Sequence, residues 1–227
     1  MADTLRIIEV REGVRAENDR RAAALRQSLR ERGLFFVNLM SAPGSGKTTL
    51  LLRLLPLLQA RLRVGVLEAD IDADTDARAV LGAGYPAVQL HTGGMCHLDA
   101  DMAAQGLRGL DLAALDMVIL ENVGNLVCPA EFDTGAEKNI MLLSAPEGDD
   151  KPLKYPLMFQ VSDLLLLTKL DAAAYFDFDP DLAASRARAR NPGLTVLPLS
   201  ARTGEGVSAA ADWLLAAYDA WREGRRA

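Results

Sequence analysis

Continuous apolar runs alternate along the chain with helix-favouring stretches, and turns rich in Gly, Asp or Ser separate them. The stretch 15–32, RAENDRRAAALRQSLRER, sets Ala24, Leu25 and Leu29 near helical spacing among charges and predicts a leading amphipathic helix. LFFVNLM (34–40) reads as the first buried strand, and residues 47–60 as the helix after it. VGVLEAD (64–70), AVQL (87–90), DMVILEN (116–122), DLLLLTK (163–169) and LTVLPLS (194–200) read as further strands. Uninterrupted apolar strands alternating with helices predict an α/β fold, a mainly parallel sheet with helices on both faces. Right-handed crossovers then bring the C-terminal ends of the strands to one edge, where such sheets bind ligands. The turn-rich segment 144–156 predicts a surface loop or hairpin, and the Ala-, Asp- and Arg-biased stretch 172–190 a solvated helix. Residues 1–33 are expected to be an N-terminal helical segment and 34–227 the main domain.

Composition narrows the function classes. Hydrophobic residues at 50% and charged residues at 25% match an ordinary globular protein with a sizeable core. A net charge of -6 provides no basic field for nucleic acid or anionic lipid. The opening MADTLRIIEVREGV lacks a basic n-region and apolar core, and no window holds the roughly 18 apolar residues of a membrane span, so a cytoplasmic location is expected. Cys96 and Cys128 are too few for a disulfide scaffold and are available for other chemistry.

Directly after the first strand stands SAPGSGKTTLL, residues 41–51. This is a P-loop of the pattern GxxxxGK[ST] with Ser41 in place of its first glycine. Gly44, Ser45 and Gly46 allow backbone N–H groups to converge on phosphates at a helix N-terminus. Lys47 is placed to reach the β- and γ-phosphates and Thr48 to ligate magnesium, and Thr49 is a further nucleotide-binding candidate. Asp70, Asp72 and Glu121 end strands beside it and are candidates for the magnesium or γ-phosphate site, although carboxylates there also serve as helix caps. Lys47, Asp72 and Glu121 are the catalytic candidates.

At a later strand end TKLD offers Asp171 as a bidentate acceptor for guanine N1–H and its amino group, donors that adenine lacks. The stem of Lys169 can cover the base plane. TKLD resembles the TKxD form in signal-recognition-particle GTPases, with Thr168 departing from the commoner NKxD. SAR at 200–202 resembles the fifth GTPase motif, which implicates Ser200 and Ala201 at the guanine O6. GTP is therefore expected over ATP.

MCHLDA sets Cys96 beside His97, and ENVGNLVCP sets Cys128 seven residues beyond Glu121. Thiolate and imidazole suit zinc or nickel. Neighbouring ligands are expected to point apart, so a second copy would complete the shell. The alternative is two small buried apolar cysteines, with His97 a surface or capping residue. From about 38 to 206, ENVGNLVCPAEFDTGA, TGGMCHLDA and the P-loop closely resemble the hydrogenase nickel-incorporation, or hydrogenase maturation, GTPases. That resemblance implies Gly124 near the γ-phosphate, with Cys96, His97 and Cys128 binding nickel or zinc at the interface of a GTP-dependent homodimer. It further implies GTP and Mg2+ as cofactors, and as partners hydrogenase accessory proteins and the hydrogenase large-subunit precursor. Residues 1–90 contain no Cys or His, so nickel storage there is not expected, and His91 is read as structural. The competing readings are a P-loop small-molecule kinase and a regulatory GTPase with structural cysteines.

Overall fold

A computed structural model describes residues 10–71 and 74–225. Among these, the strands are β1 (Phe35–Ser41), β2 (Val64–Asp70), β3 (Ala87–His91), β4 (Met117–Glu121), β5 (Lys138–Ser144), β6 (Leu164–Thr168) and β7 (Thr195–Pro198). All pairings are parallel, in the order β3-β2-β4-β1-β5-β6-β7. The helices are α1 (Val10–Arg32), α2 (Lys47–Gln59), α3 (Thr75–Gly82), α4 (Ala100–Leu107), α5 (Cys128–Glu131), α6 (Lys151–Lys154), α7 (Pro156–Gln160), α8 (Pro180–Arg190) and α9 (Val207–Gly224).

The strands are apolar on both faces because both are covered. On one side Phe35, Val37 and Leu39 pack with Leu50, Leu54 and Leu58 of α2 and Leu214, Tyr218 and Trp221 of α9. On the other, Phe36 and Val118 meet Leu29 of α1 and Leu107 of α4, while Met141 and Leu165 meet Phe159 of α7 and Ala183 and Ala187 of α8. The leading helix therefore shares a core with the sheet. Among the described residues no helix is long and apolar enough to cross a membrane.

Three expectations change. The apolar part of β5 is only four residues long, Ile140 to Leu143, and the hydrophobic pattern predicts no strand there. It nevertheless lies beside β1, with Lys138 anchored to Asp163 at 2.6 Å. Segment 144–156 is not a hairpin but a 3-10 turn (Ala145–Glu147) followed by α6 and α7. Its prolines stand in first turns, where the missing N–H costs nothing. In 172–190 the helix begins only at Pro180, capped by Asp179, and Ala183 and Ala187 bury one face of it.

Candidate functional site

The P-loop leaves β1 through two left-handed glycines, Gly44 (φ 73°) and Gly46 (φ 96°), and enters α2 at Lys47. Both need the conformational freedom of glycine. Lys47 is buried, and its Nζ donates to Ser41 Oγ at 3.0 Å, so the serine that departs from the motif serves as its partner. Thr48 Oγ1 donates to Glu121 Oε1 at 3.0 Å, which joins the head of α2 to the end of β4. Ser45 Oγ lies 2.8 Å from Glu147 Oε1, a contact from the turn after β5 that sequence reasoning missed.

Lys47, Thr48, Asp70, Glu121 and Gly124 line one cavity of about 560 Å³ with the P-loop glycines. Asp72 lies outside the described residues. The cavity also exposes a polar row that the sequence did not reveal, because parallel register sets Gln89, Glu68 and Glu121 side by side on β3, β2 and β4. Glu68 Oε1, Glu121 Oε2 and both amide atoms of Gln89 are buried without a hydrogen-bond partner. Both carboxyls are pushed upward, chiefly by burial, and for Glu68 next by the charge of Glu121. Two adjacent buried carboxyls with unpartnered oxygens fit a hard divalent cation, which takes oxygen ligands.

A second cavity of about 580 Å³ shares Gly46, Thr49 and Lys169 with the first and extends past Thr168, Asp171 and Ala201. Thr168 Oγ1 donates to Ser45 O at 3.0 Å, so the departure from NKxD is a strut under the P-loop. Lys169, left-handed at φ 58°, donates through Nζ to Gly44 O at 2.6 Å, which lays its stem along the cavity. Asp171 accepts from Ser200 Oγ at 2.6 Å and pairs with Arg202 Nε at 3.0 Å. Those two contacts, with Ser200 the larger influence, hold its carboxyl below the usual range. Arg202 is a further residue that the motif reading did not single out.

Cys96, His97 and Cys128 bring their ligand atoms within 4.8 Å of one another. The two sulfurs are 2.9 Å apart, and Cys96 Sγ is 4.0 Å from His97 Nδ1. The expectation that neighbouring ligands diverge is thus corrected: a turn through left-handed Gly93 and Gly94, closed by Thr92 Oγ1 donating to Met95 O at 2.6 Å, folds the pair inward. The His97 ring stacks on Phe132, with centroids 4.0 Å apart, and burial lowers its pKa. The Cys128 thiol is pushed up to about 11, first by its hydrogen bond with Cys96 and then by burial. His91 ends β3 exposed and outside this group. Asn125 spans the two sites: its N–H donates to Ser41 O at 2.8 Å and its Oδ1 accepts from Cys128 N at 3.3 Å.

The chain matches the family model described as CobW/HypB/UreG, nucleotide-binding domain, over residues 35–198, from the start of β1 to the end of β7. It is 44% identical over 221 residues to the hydrogenase maturation factor HypB of Azotobacter vinelandii, covering 97% of this chain and 70% of that protein. The crystal structure of HypB from Helicobacter pylori in complex with nickel is similar at a TM-score of 0.84 and 36% identity, covering 92% of this chain and 97% of that one. The hydrogenase maturation factor HypB from Archaeoglobus fulgidus gives 0.83 and 34%, covering 89% and 99%.

Proposed function

The chain belongs to the CobW/HypB/UreG family and, within it, to the HypB hydrogenase maturation factors, and from that premise we propose that it is a GTP-hydrolysing metallochaperone that supplies nickel during hydrogenase maturation. The carrying observation is that two thiols and an imidazole converge within 4.8 Å, one residue removed from contact with the phosphate loop. The donor set is borderline to soft, which suits nickel or zinc as cargo. A HypB relative crystallised with nickel supports nickel.

In this reading the P-loop backbone holds the β- and γ-phosphates, and Lys47 supplies fixed positive charge where negative charge develops. Magnesium, when bound, would neutralise phosphate charge, and Thr48, Asp70, Glu121 and Asp72 are the groups proposed to hold it directly or through water. Gly124 brings the backbone of the turn after β4 toward the γ-phosphate, and Asp171 reads guanine while Ala201 lines the far wall and Ser200, buried behind it, holds the Asp171 carboxylate and completes the base site. Three donors leave a metal shell open to a fourth, and exposed Met95 and Val127 flank the ligands. Both features support a GTP-dependent homodimer in which facing copies share the ion. Recipients are hydrogenase accessory proteins and the hydrogenase large-subunit precursor.

The test combines two measurements. Lys47→Ala should abolish GTP hydrolysis, and wild-type turnover in that variant overturns the phosphate assignment. Nickel and zinc stoichiometry, measured on wild type, Cys96→Ala and Cys128→Ala, should fall in both cysteine variants. Unchanged metal binding there restores the reading in which the cysteines are structural.

A further inference from the structure

The two segments that carry the metal ligands belong to different elements. Cys96 and His97 precede α4, whereas Cys128 opens α5. Helix α1 lies along the seam between them. Asn18, 7% exposed, accepts through Oδ1 from Ala100 N at 3.0 Å and donates through Nδ2 to Asp133 O at 2.9 Å. Ala100 is the first residue of α4, so its N–H has no partner within that helix, and Asn18 supplies one from outside. Asp133 directly follows Phe132, the ring that His97 stacks upon. One buried amide therefore uses a donor on one ligand arm and an acceptor on the other.

The surroundings hold this amide in place. Arg26 Nη2 reaches both oxygens of Asp133 at 2.7 and 2.6 Å, and Arg26 Nε donates to Ala136 O at 2.9 Å. Arg15 pairs with Glu131, and Arg21 with Asp101 beyond the other arm. Ala22 is fully buried one turn after Asn18, and a Cβ on Gly135 would meet Ala22 O at 3.1 Å, so the 131–137 segment lies directly against the helix.

We propose that Asn18 is a positioning residue for the metal site: it fixes the separation of the Cys96–His97 arm from the Cys128–Phe132 arm, and α1 thereby sets how well the three donors are preorganised for a soft divalent cation. The inference rests on the reading of Cys96, His97 and Cys128 as ligands. A donor set held within a fraction of an ångström by its supporting shell binds more tightly than one that must be gathered, and losing such support typically costs about 10- to 100-fold in metal affinity.

The test uses the full chain without nucleotide and nickel(II) alone as the probe. Asn18→Leu keeps the volume and removes both hydrogen bonds, whereas Asn18→Asp keeps the acceptor for Ala100 N and loses the donor to Asp133 O. Affinity should fall at least about tenfold in Asn18→Leu and less in Asn18→Asp, with a shift of the nickel–thiolate charge-transfer band. Arg63→Ala, which cuts an ion pair with Asp116 at the start of β2, serves as a destabilised control whose nickel affinity and band should not move. If Asn18→Leu does not fold, Asn18→Asp decides alone. A lowered Tm with nickel affinity and band unchanged in a folded Asn18 variant makes the residue merely structural and overturns the inference. Nickel retained by Cys96→Ala and Cys128→Ala overturns the ligand reading itself, and the inference with it.

Discussion

Asp171 is poised as an acceptor because Ser200 and Arg202 both donate to it and favour its ionised form. A carboxylate oxygen still has lone pairs for two guanine donors. Asp171→Asn replaces one acceptor with a donor, so GTP affinity should fall roughly 10- to 100-fold while xanthosine triphosphate gains relative to GTP. Competition binding with both nucleotides checks this, and a loss shared equally by the two would remove Asp171 from the base edge. Glu68 lies at the opposite extreme: burial, then the neighbouring Glu121 charge, raises its pKa above the ordinary 4.5. A carboxyl raised in the fold contributes stability while protonated, fully below its unfolded value, and loses that contribution as pH rises towards its folded value. In the nucleotide-free protein, Glu68→Gln should therefore become more stabilising relative to wild type between pH 5 and pH 8, by at least about 1.4 kcal/mol, the equivalent of one pKa unit. Denaturant unfolding at both pH values measures it, and parallel pH curves for the two proteins would show that Glu68 is not held protonated.

The turn after β4 shows how one element can serve two sites. Gly124 packs so closely on the P-loop that a Cβ there would lie 2.8 Å from Pro43 Cα and 2.9 Å from Pro43 N. Backbone cannot yield as the end of a flexible side chain can, so Gly124→Ala should push the turn off the phosphate loop at a cost of about 1–3 kcal/mol. GTP affinity should drop at least about tenfold while the circular dichroism spectrum is retained. Wild-type affinity in this variant would mean that the turn has no part in holding nucleotide. The same segment marks how far sequence carries. The P-loop, TKLD and ENVG were legible because each is a short local pattern at a strand end. Glu68 and Gln89 were not, since only the register of β2 with β3 and β4 places them beside Glu121. Glu147 was hidden in a stretch read as loop, and its role against Ser45 depends on β5 lying next to β1. Asn18 looked like one polar residue on an amphipathic helix until packing set it between two backbones.

Across the whole molecule, a parallel sheet collects the residues proposed to meet guanine, phosphate and metal along one edge, and the covalent path between the last two sets is short. Asn125 accepts from Cys128 N at 3.3 Å and from Val127 N at 2.7 Å while its own N–H holds Ser41 O at 2.8 Å. A γ-phosphate contact that shifted the turn at Gly124 would therefore also move Cys128, a proposed metal ligand. The nucleotide changes metal affinity only to the extent that GDP and GTP bind the two arrangements of this turn differently. Nickel affinity is expected to differ between the GDP state and that with magnesium and a non-hydrolysable GTP analogue, by a factor of about 5 to 150, the usual range of coupling between sites. Linkage makes the effect reciprocal, so bound nickel must alter the preference for GTP analogue over GDP by the same factor. Asn125→Ala removes the side-chain half of the bridge and should bring that factor toward one, even where each ligand still binds. Nickel titrations in both nucleotide states, nucleotide competition with and without nickel, and mass measured alongside form a closed cycle. The analogue state should be the dimeric one, so the titrations are repeated at protein concentrations above and below the dimerisation midpoint. A factor that vanishes in the monomer assigns the coupling to the interface, and equal nickel affinities in both nucleotide states at every concentration rule it out.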